Sequence, residues 1–238
     1  MNSPLRSDEE FVICALANHF NGTWRPGENP PDVYLLVGTE DTAVEISTLT
    51  QQVRDEHGRL KPRLSEDTTA IRLANALNEE LQSQVPIGWM VILTLTSPVL
   101  HARMVYNQLK ERISNLISNK RNCKSEEIIL GNKIDIQVVA ESRQSGKKVV
   151  GIIQNANSSP DIFKNAWEIL EDRIVVKANI CRSLSFFGPK WLALLNDYGL
   201  ADNEIYEQAF NSFSVDHPFE KIMLVSPDGS VAVLGEKV

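Results

Sequence analysis

The sequence predicts an α/β protein in which a mixed central sheet is flanked by helices. Three features predict it. Short apolar runs bounded by Gly, Pro, Asn and Asp recur along the chain, as strands do. Between them lie stretches with apolar residues every three or four positions, as in amphipathic helices. One late run, WLALL at 191–195, is apolar throughout, as in a strand covered on both faces.

The elements follow in order. Residues 8–20, DEEFVICALANHF, carry Ile13, Leu16 and Phe20 at helical spacing, with Ser7 as the expected N-cap. A loop, GTWRPGENPP, leads to apolar runs at 33–37 and 43–46 joined by GTED, which reads as a hairpin. Residues 51–66 are polar and read as a loop. Ile71, Ala74, Leu77 and Leu81 place a helix over 67–84, ended by Pro86 and Gly88, and 89–96 reads as a strand. A second amphipathic helix over 99–118 shows Val105, Leu109, Ile113 and Leu116, and the basic loop NKRNCKSEE follows it. Runs at 134–140 and 148–153 read as a strand pair joined by ESRQSGK. The strongest helix covers 160–182, and 202–213 is another. The runs at 222–225 and 231–234 close the chain as a hairpin around Pro227-Asp228-Gly229.

With 238 residues, 42% of them hydrophobic, the chain can bury one large core or two small ones. No linker is visible, so residues 1–238 read as a single domain, with an insertion over about 97–160. The formal net charge of -7 excludes a generic polyanion binder, and any phosphate contact needs a local basic patch. No apolar run has the roughly 18 residues of a membrane span. Cys14, Cys123 and Cys181 are odd in number and far apart, and the N-terminus lacks a signal-peptide core. A reduced, cytoplasmic protein without a zinc site is expected. His19, His57, His101 and His217 show no ligand spacing, and Cys14 and Cys181 are expected in the core. Neither GxGxxG nor GxxxxGK[ST] occurs.

The acids of the first hairpin carry the chemistry. Asp32 stands at the mouth of one strand, and Glu45 lies 13 positions later inside the next. A tight hairpin brings these positions together, and two adjacent carboxylates repel and raise each other's pKa. A divalent cation removes that penalty. Magnesium takes one or two carboxylates plus water and phosphate oxygens, and can generate hydroxide near neutral pH. A turn residue after Pro-Pro and an edge-strand charge would explain the same positions without a metal.

Two helices add to the pattern. Glu9 falls on the face of Ile13, Leu16 and Phe20, with Glu10 to the side; the helix dipole alone also favours acids there. On 160–182, Phe163, Trp167, Leu170, Ile174 and Cys181 share a face with Lys177 in its middle and Arg173 at its margin. A lysine so placed snorkels or pairs with an acid.

The acid on the first helix, the "PPD" opening a strand and the "VEIS" on the next resemble the PD-(D/E)XK, restriction-endonuclease-like, nuclease superfamily. The later stretch WEILEDRIVVKANICRSLSFFGPKWLALLND resembles its helix-then-central-strand segment. The resemblance implies a restriction-endonuclease-like core and magnesium- or manganese-dependent hydrolysis of nucleic acid, DNA rather than RNA, in a fold that admits a homodimer. It makes Glu9 (Glu10 as alternate), Asp32, Glu45 and Lys177 the catalytic set, with Asp32 and Glu45 on the metal. The triplet reads Glu45-Ile46-Ser47, so serine stands where lysine is expected, and Lys177 becomes the migrated lysine that positions the attacking water. Without that lysine the same fold would bind rather than cut. Two basic clusters, His57, Arg59, Lys61, Arg63 and Lys120, Arg121, Lys124, are candidate phosphate contacts or solvated loops.

Overall fold

The computed structural model describes residues 5–55, 57–118, 122–140, 146–183 and 186–237. In chain order its elements are α1 (Ser7–His19), β1 (Thr23–Pro26), β2 (Val33–Val37), β3 (Glu40–Leu49), β4 (Gln52–Arg54), β5 (Leu60–Pro62), α2 (Arg63–Leu81), β6 (Trp89–Ser97), α3 (Ala102–Ser118), β7 (Cys123–Ile129), β8 (Asn132–Ala140), β9 (Val149–Asn155), α4 (Ile162–Arg182), β10 (Lys190–Asn196), α5 (Asn203–Asn211), β11 (Lys221–Val225) and β12 (Val231–Glu236). The class is mixed α/β, as the alternating runs predict. No described helix is long and apolar enough to cross a membrane.

The chain divides into two compact units rather than one. Met1–Gln52 joins Ser159–Val238 in the first, and Val53–Ser158 forms the second. The inserted segment therefore begins well before residue 97 and takes in α2 and β6. The reason is packing: Leu77 and Leu81 of α2, Leu93 and Leu95 of β6, and Leu109 and Ile113 of α3 share one core. Periodicity finds such a helix and strand but cannot say which sheet they join.

In the first unit six strands are ordered β1-β2-β3-β10-β11-β12. β3, β10 and β11 run parallel, while β1–β2, β2–β3 and β11–β12 are antiparallel. The uniformly apolar run Trp191–Leu194 is buried, with neighbours on both edges of β10. Alternation along β3 divides its side chains between two cores. Val44 and Ile46 meet Val12, Ile13 and Leu16 of α1. Leu49 meets Ile169, Leu170 and Ile174 of α4. Asp161 caps α4 by accepting from the Lys164 N–H, and Asp202 caps α5 by accepting from the Ile205 N–H.

Several local expectations change. Ser7 is the first residue of α1, and Arg6 takes the N-cap place. Cys14 is exposed, because the buried stripe of α1 is Val12, Ile13, Leu16 and Ala17. Phe163 is exposed as well: it lies in line with buried Cys181 but stands in the first turn of α4. The 51–66 loop contains the β4–β5 ribbon and the start of α2.

The second unit has sheet order β7-β8-β6-β9, with α2 and α3 buried against one face. The expected 134–140 and 148–153 pair is not adjacent: β6 lies between, antiparallel to β8 and parallel to β9. Residues 141–145 of the expected turn lie outside the described residues. β7 falls in the expected basic loop because it is an edge strand with Lys124 and Glu126 at exposed positions. α2 approaches β9 so closely that a Cβ on Gly151 would stand 2.5 Å from that of Ala74.

Asn78 fixes this contact, its Oδ1 accepting from the N–H groups of Lys148 and Val149 at 2.9 Å each. Asn78→Ala leaves both without that acceptor and should cost about 2 kcal/mol. Asn78→Asp, which keeps the acceptor, should cost less. Urea unfolding of the two variants checks the order.

Candidate functional site

The β2–β3 register builds the site. Val33 pairs with Val44, so Asp32, one step before, faces Glu45, one step after. Both carboxylates alternate with residues of the α1 core and therefore lie on the sheet face that α4 covers. Asp32 Oδ2 accepts from the Ile46 N–H at 2.7 Å, so the side chain continues the ladder at the mouth of β2. The tight entry requires Gly27, where a Cβ would stand 2.0 Å from the Pro31 carbonyl oxygen.

α4 brings the cation. Lys177 Nζ donates to Asp32 Oδ2 at 2.9 Å and to Glu45 Oε2 at 2.7 Å. The expected juxtaposition of the two acids with this lysine is present. Glu45 is 2% exposed, and its Oε1 is buried without a hydrogen-bond partner. Burial pushes the Glu45 carboxyl above its ordinary value; the Lys177 ammonium pulls the other way, and Asp32 adds to the rise. For Lys177, burial works against the charge, but Glu45 and Asp32 overcome it and the pKa is raised. With all three groups ionised, two negative charges meet one positive.

Other expected residues fall elsewhere. Glu9 does not join the pair. Its carboxylate accepts from the Arg6 N–H and pairs with the Arg6 guanidinium, on the helix that covers the opposite sheet face. Glu10 is exposed. Asp8 is the α1 acid that reaches the sheet, accepting from Thr48 Oγ1 at 3.2 Å. Arg173 pairs with Asp172 rather than with the site acids. Ser47, in the lysine position of the triplet, is buried on the face of Glu45.

The first basic cluster lies in the second unit, where Arg59 pairs with Asp55, Lys61 with Glu66 and Arg63 with Asp67. Lys124 pairs with Glu126, while Lys120 and Arg121 lie outside the described residues. His19 is exposed, edge-on to Phe20.

Sequence reasoning missed the aromatic neighbour of the acids. Tyr34 stands two residues from Asp32 on the same face of β2, and Phe186 packs on it. Strand alternation carries that signal once 33–37 is read as a strand.

Among the described residues no group of three or more His, Cys, Asp or Glu side chains is arranged to hold a metal ion. The site itself brings together two carboxylates, Asp32 and Glu45, on one lysine. No family model, curated protein or solved structure matches the chain.

Lys177→Met leaves two facing carboxylates without their counter-charge. It should cost about 3–5 kcal/mol at neutral pH, and part of the loss should return as the acids protonate. Wild type has its own pH signature. A carboxyl with a raised folded-state pKa favours the folded state below its ordinary value, near 4.5 for Glu45, and loses that contribution as pH rises through the raised one. Unfolding free energy should therefore decline across that window, and Glu45→Gln should flatten the decline. Matching slopes in a pH series of urea unfolding curves would remove the assignment.

Proposed function

We propose that the chain is a magnesium-dependent nuclease with a restriction-endonuclease-like core, hydrolysing phosphodiester bonds of nucleic acid in the cytoplasm. One observation carries the reading. Two facing carboxylates share a lysine from a distant helix, and the buried Glu45 Oε1 has no partner. A structural ion pair satisfies its lone pairs, because an unpaired buried oxygen costs free energy. An open lone pair beside an excess negative charge is the donor set a divalent cation uses, so the residues present fit the group. Asp32 and Glu45 would hold the ion, which when bound polarises a phosphate and supplies hydroxide near neutral pH. Lys177 keeps an ammonium donor beside the acids and orients the attacking water. Glu9, committed to Arg6, has no part in this set.

A second reading is a nuclease fold that binds nucleic acid or protein without cutting. The observation favouring it is that the Lys177 ammonium already bonds both acids, while Ser47 replaces the triplet lysine.

Magnesium or manganese should raise the melting temperature by several degrees at concentrations near 100 times Kd, where a native-state ligand adds about 2.7 kcal/mol. Asp32→Asn and Glu45→Gln should abolish that rise. Cleavage should be sought on single-stranded, duplex and branched substrates, and Lys177→Met, assayed where circular dichroism shows it folded, should not cut. A metal shift without cleavage supports the binding reading, and calorimetry without metal binding counts against the site.

A further inference from the structure

The sheet positions beside the acid pair are aromatic and cationic. Tyr34 lies ~7 Å along β2 from Asp32, on the same face. The Arg25 guanidinium covers its ring at 4.0 Å, and Phe186 packs on it at 5.4 Å between centroids. Arg25 is the register partner of Tyr34 and is tied to Asp41 at 2.9 Å. The Tyr34 hydroxyl donates to Glu28 at 2.6 Å. Arg25, Tyr34 and Phe186 thus hold one another.

Phe187, the next residue, is fully exposed, at 105% of the reference area. Its loop is anchored on both sides. Phe186 rests on Tyr34, and the Pro189 carbonyl accepts from the Ala43 N–H at 2.9 Å, just before β10. The ring is presented to solvent by a segment pinned to Tyr34 and Ala43, the neighbours of the acids along β2 and β3.

We infer that Phe187 is a stacking platform for an unpaired base, so that the substrate of the Asp32–Glu45–Lys177 site is single-stranded nucleic acid or an unpaired end or flap. The inference rests on the nuclease reading for its substrate class. Two physical arguments select this occupant. A chain of net charge -7 gains little from neutralising phosphates, so affinity has to come from the bases. Every base has a π face that stacks on an aromatic ring, and in a duplex those faces are already stacked on their neighbours. An unpaired strand therefore offers what Phe187 lacks.

The test measures binding without cleavage. Fluorescence anisotropy in EDTA compares a labelled oligothymidine 20-mer with a duplex of equal length. The wild-type chain should prefer the single strand. Phe187→Ala should weaken single-strand binding about tenfold, and Phe187→Trp should restore it. The melting temperature of both variants should match wild type, because the ring packs on nothing. Equal affinity for strand and duplex, no measurable binding of either, or unchanged affinity in Phe187→Ala overturns the platform. So does light scattering in which Phe187→Ala turns a dimer into a monomer with oligonucleotide affinity unchanged, since the ring is then a contact between copies. The two proposals fail separately. Loss of the metal shift with intact strand preference sinks the nuclease and keeps the platform, whereas a metal shift without strand preference sinks only the platform.

Discussion

Two carboxylates face each other across the β2–β3 hairpin in surroundings that exclude most water, and the first unit is organised around that cost. An isolated buried carboxylate carries a desolvation penalty of several kcal/mol, and a second beside it adds repulsion. The backbone offers one Ile46 N–H to Asp32. The remaining compensation comes from Lys177, 132 residues beyond Glu45 along the chain. Sliding α4 by a residue would carry the ammonium about 100° around the helix and strand both acids. The hydrophobic stripe of α4 sets its contact with the sheet, and the ion triad fixes its register.

The same arrangement explains how the chain accommodates a second unit. The first unit closes only when α4 and β10 return to β3, and the intervening residues need only bring those ends together. Loop-closure entropy grows slowly with length, so a long insertion costs little more than a short one. The inserted unit also has its own core, with Leu77, Leu93, Leu109 and Ile136 fully buried. It holds ion pairs of its own, among them Glu66–Lys61 and Asp67–Arg63, joined through Asn155. Arg59, Lys61 and Arg63, which look available for phosphate in the sequence, each pair with an acid of the same unit.

A site with two acids, one lysine and one orphaned oxygen has excess negative charge and reserve acceptor capacity. These are the features from which a cation site, and with it a phosphate site, is proposed above. In the same proposed reading, the aromatic residues Tyr34, Phe186 and Phe187 would offer a base a surface that needs no positive charge. On the nuclease reading proposed above, metal and stacking together would offset the handicap that an acidic chain has towards nucleic acid.

The sequence by itself determined the elements whose signal is local. Alternation and turn residues marked β2, β3 and the β11–β12 hairpin, and helical spacing marked α1, α2, α3 and α4. The hairpin spacing put Asp32 beside Glu45, and the helical wheel put Lys177 on an inward face, because each depends on a period within one element. Tertiary structure decided what depends on partners. The same apolar stripe on α2 fits either sheet, so only packing assigned it to the inserted unit. β8 and β9 are separated by β6 because pairing is a choice among strands, which no strand's own pattern encodes. Glu9 faces inward by its wheel, yet Arg6 claims it, and α1 covers the sheet face away from the acids. Cys14 lies outside the buried stripe of α1, and Phe163, though in line with Cys181, stands in the first turn of α4. Periodicity fixes which residues share a face; the sheet surface that face meets is fixed only when the whole chain is packed.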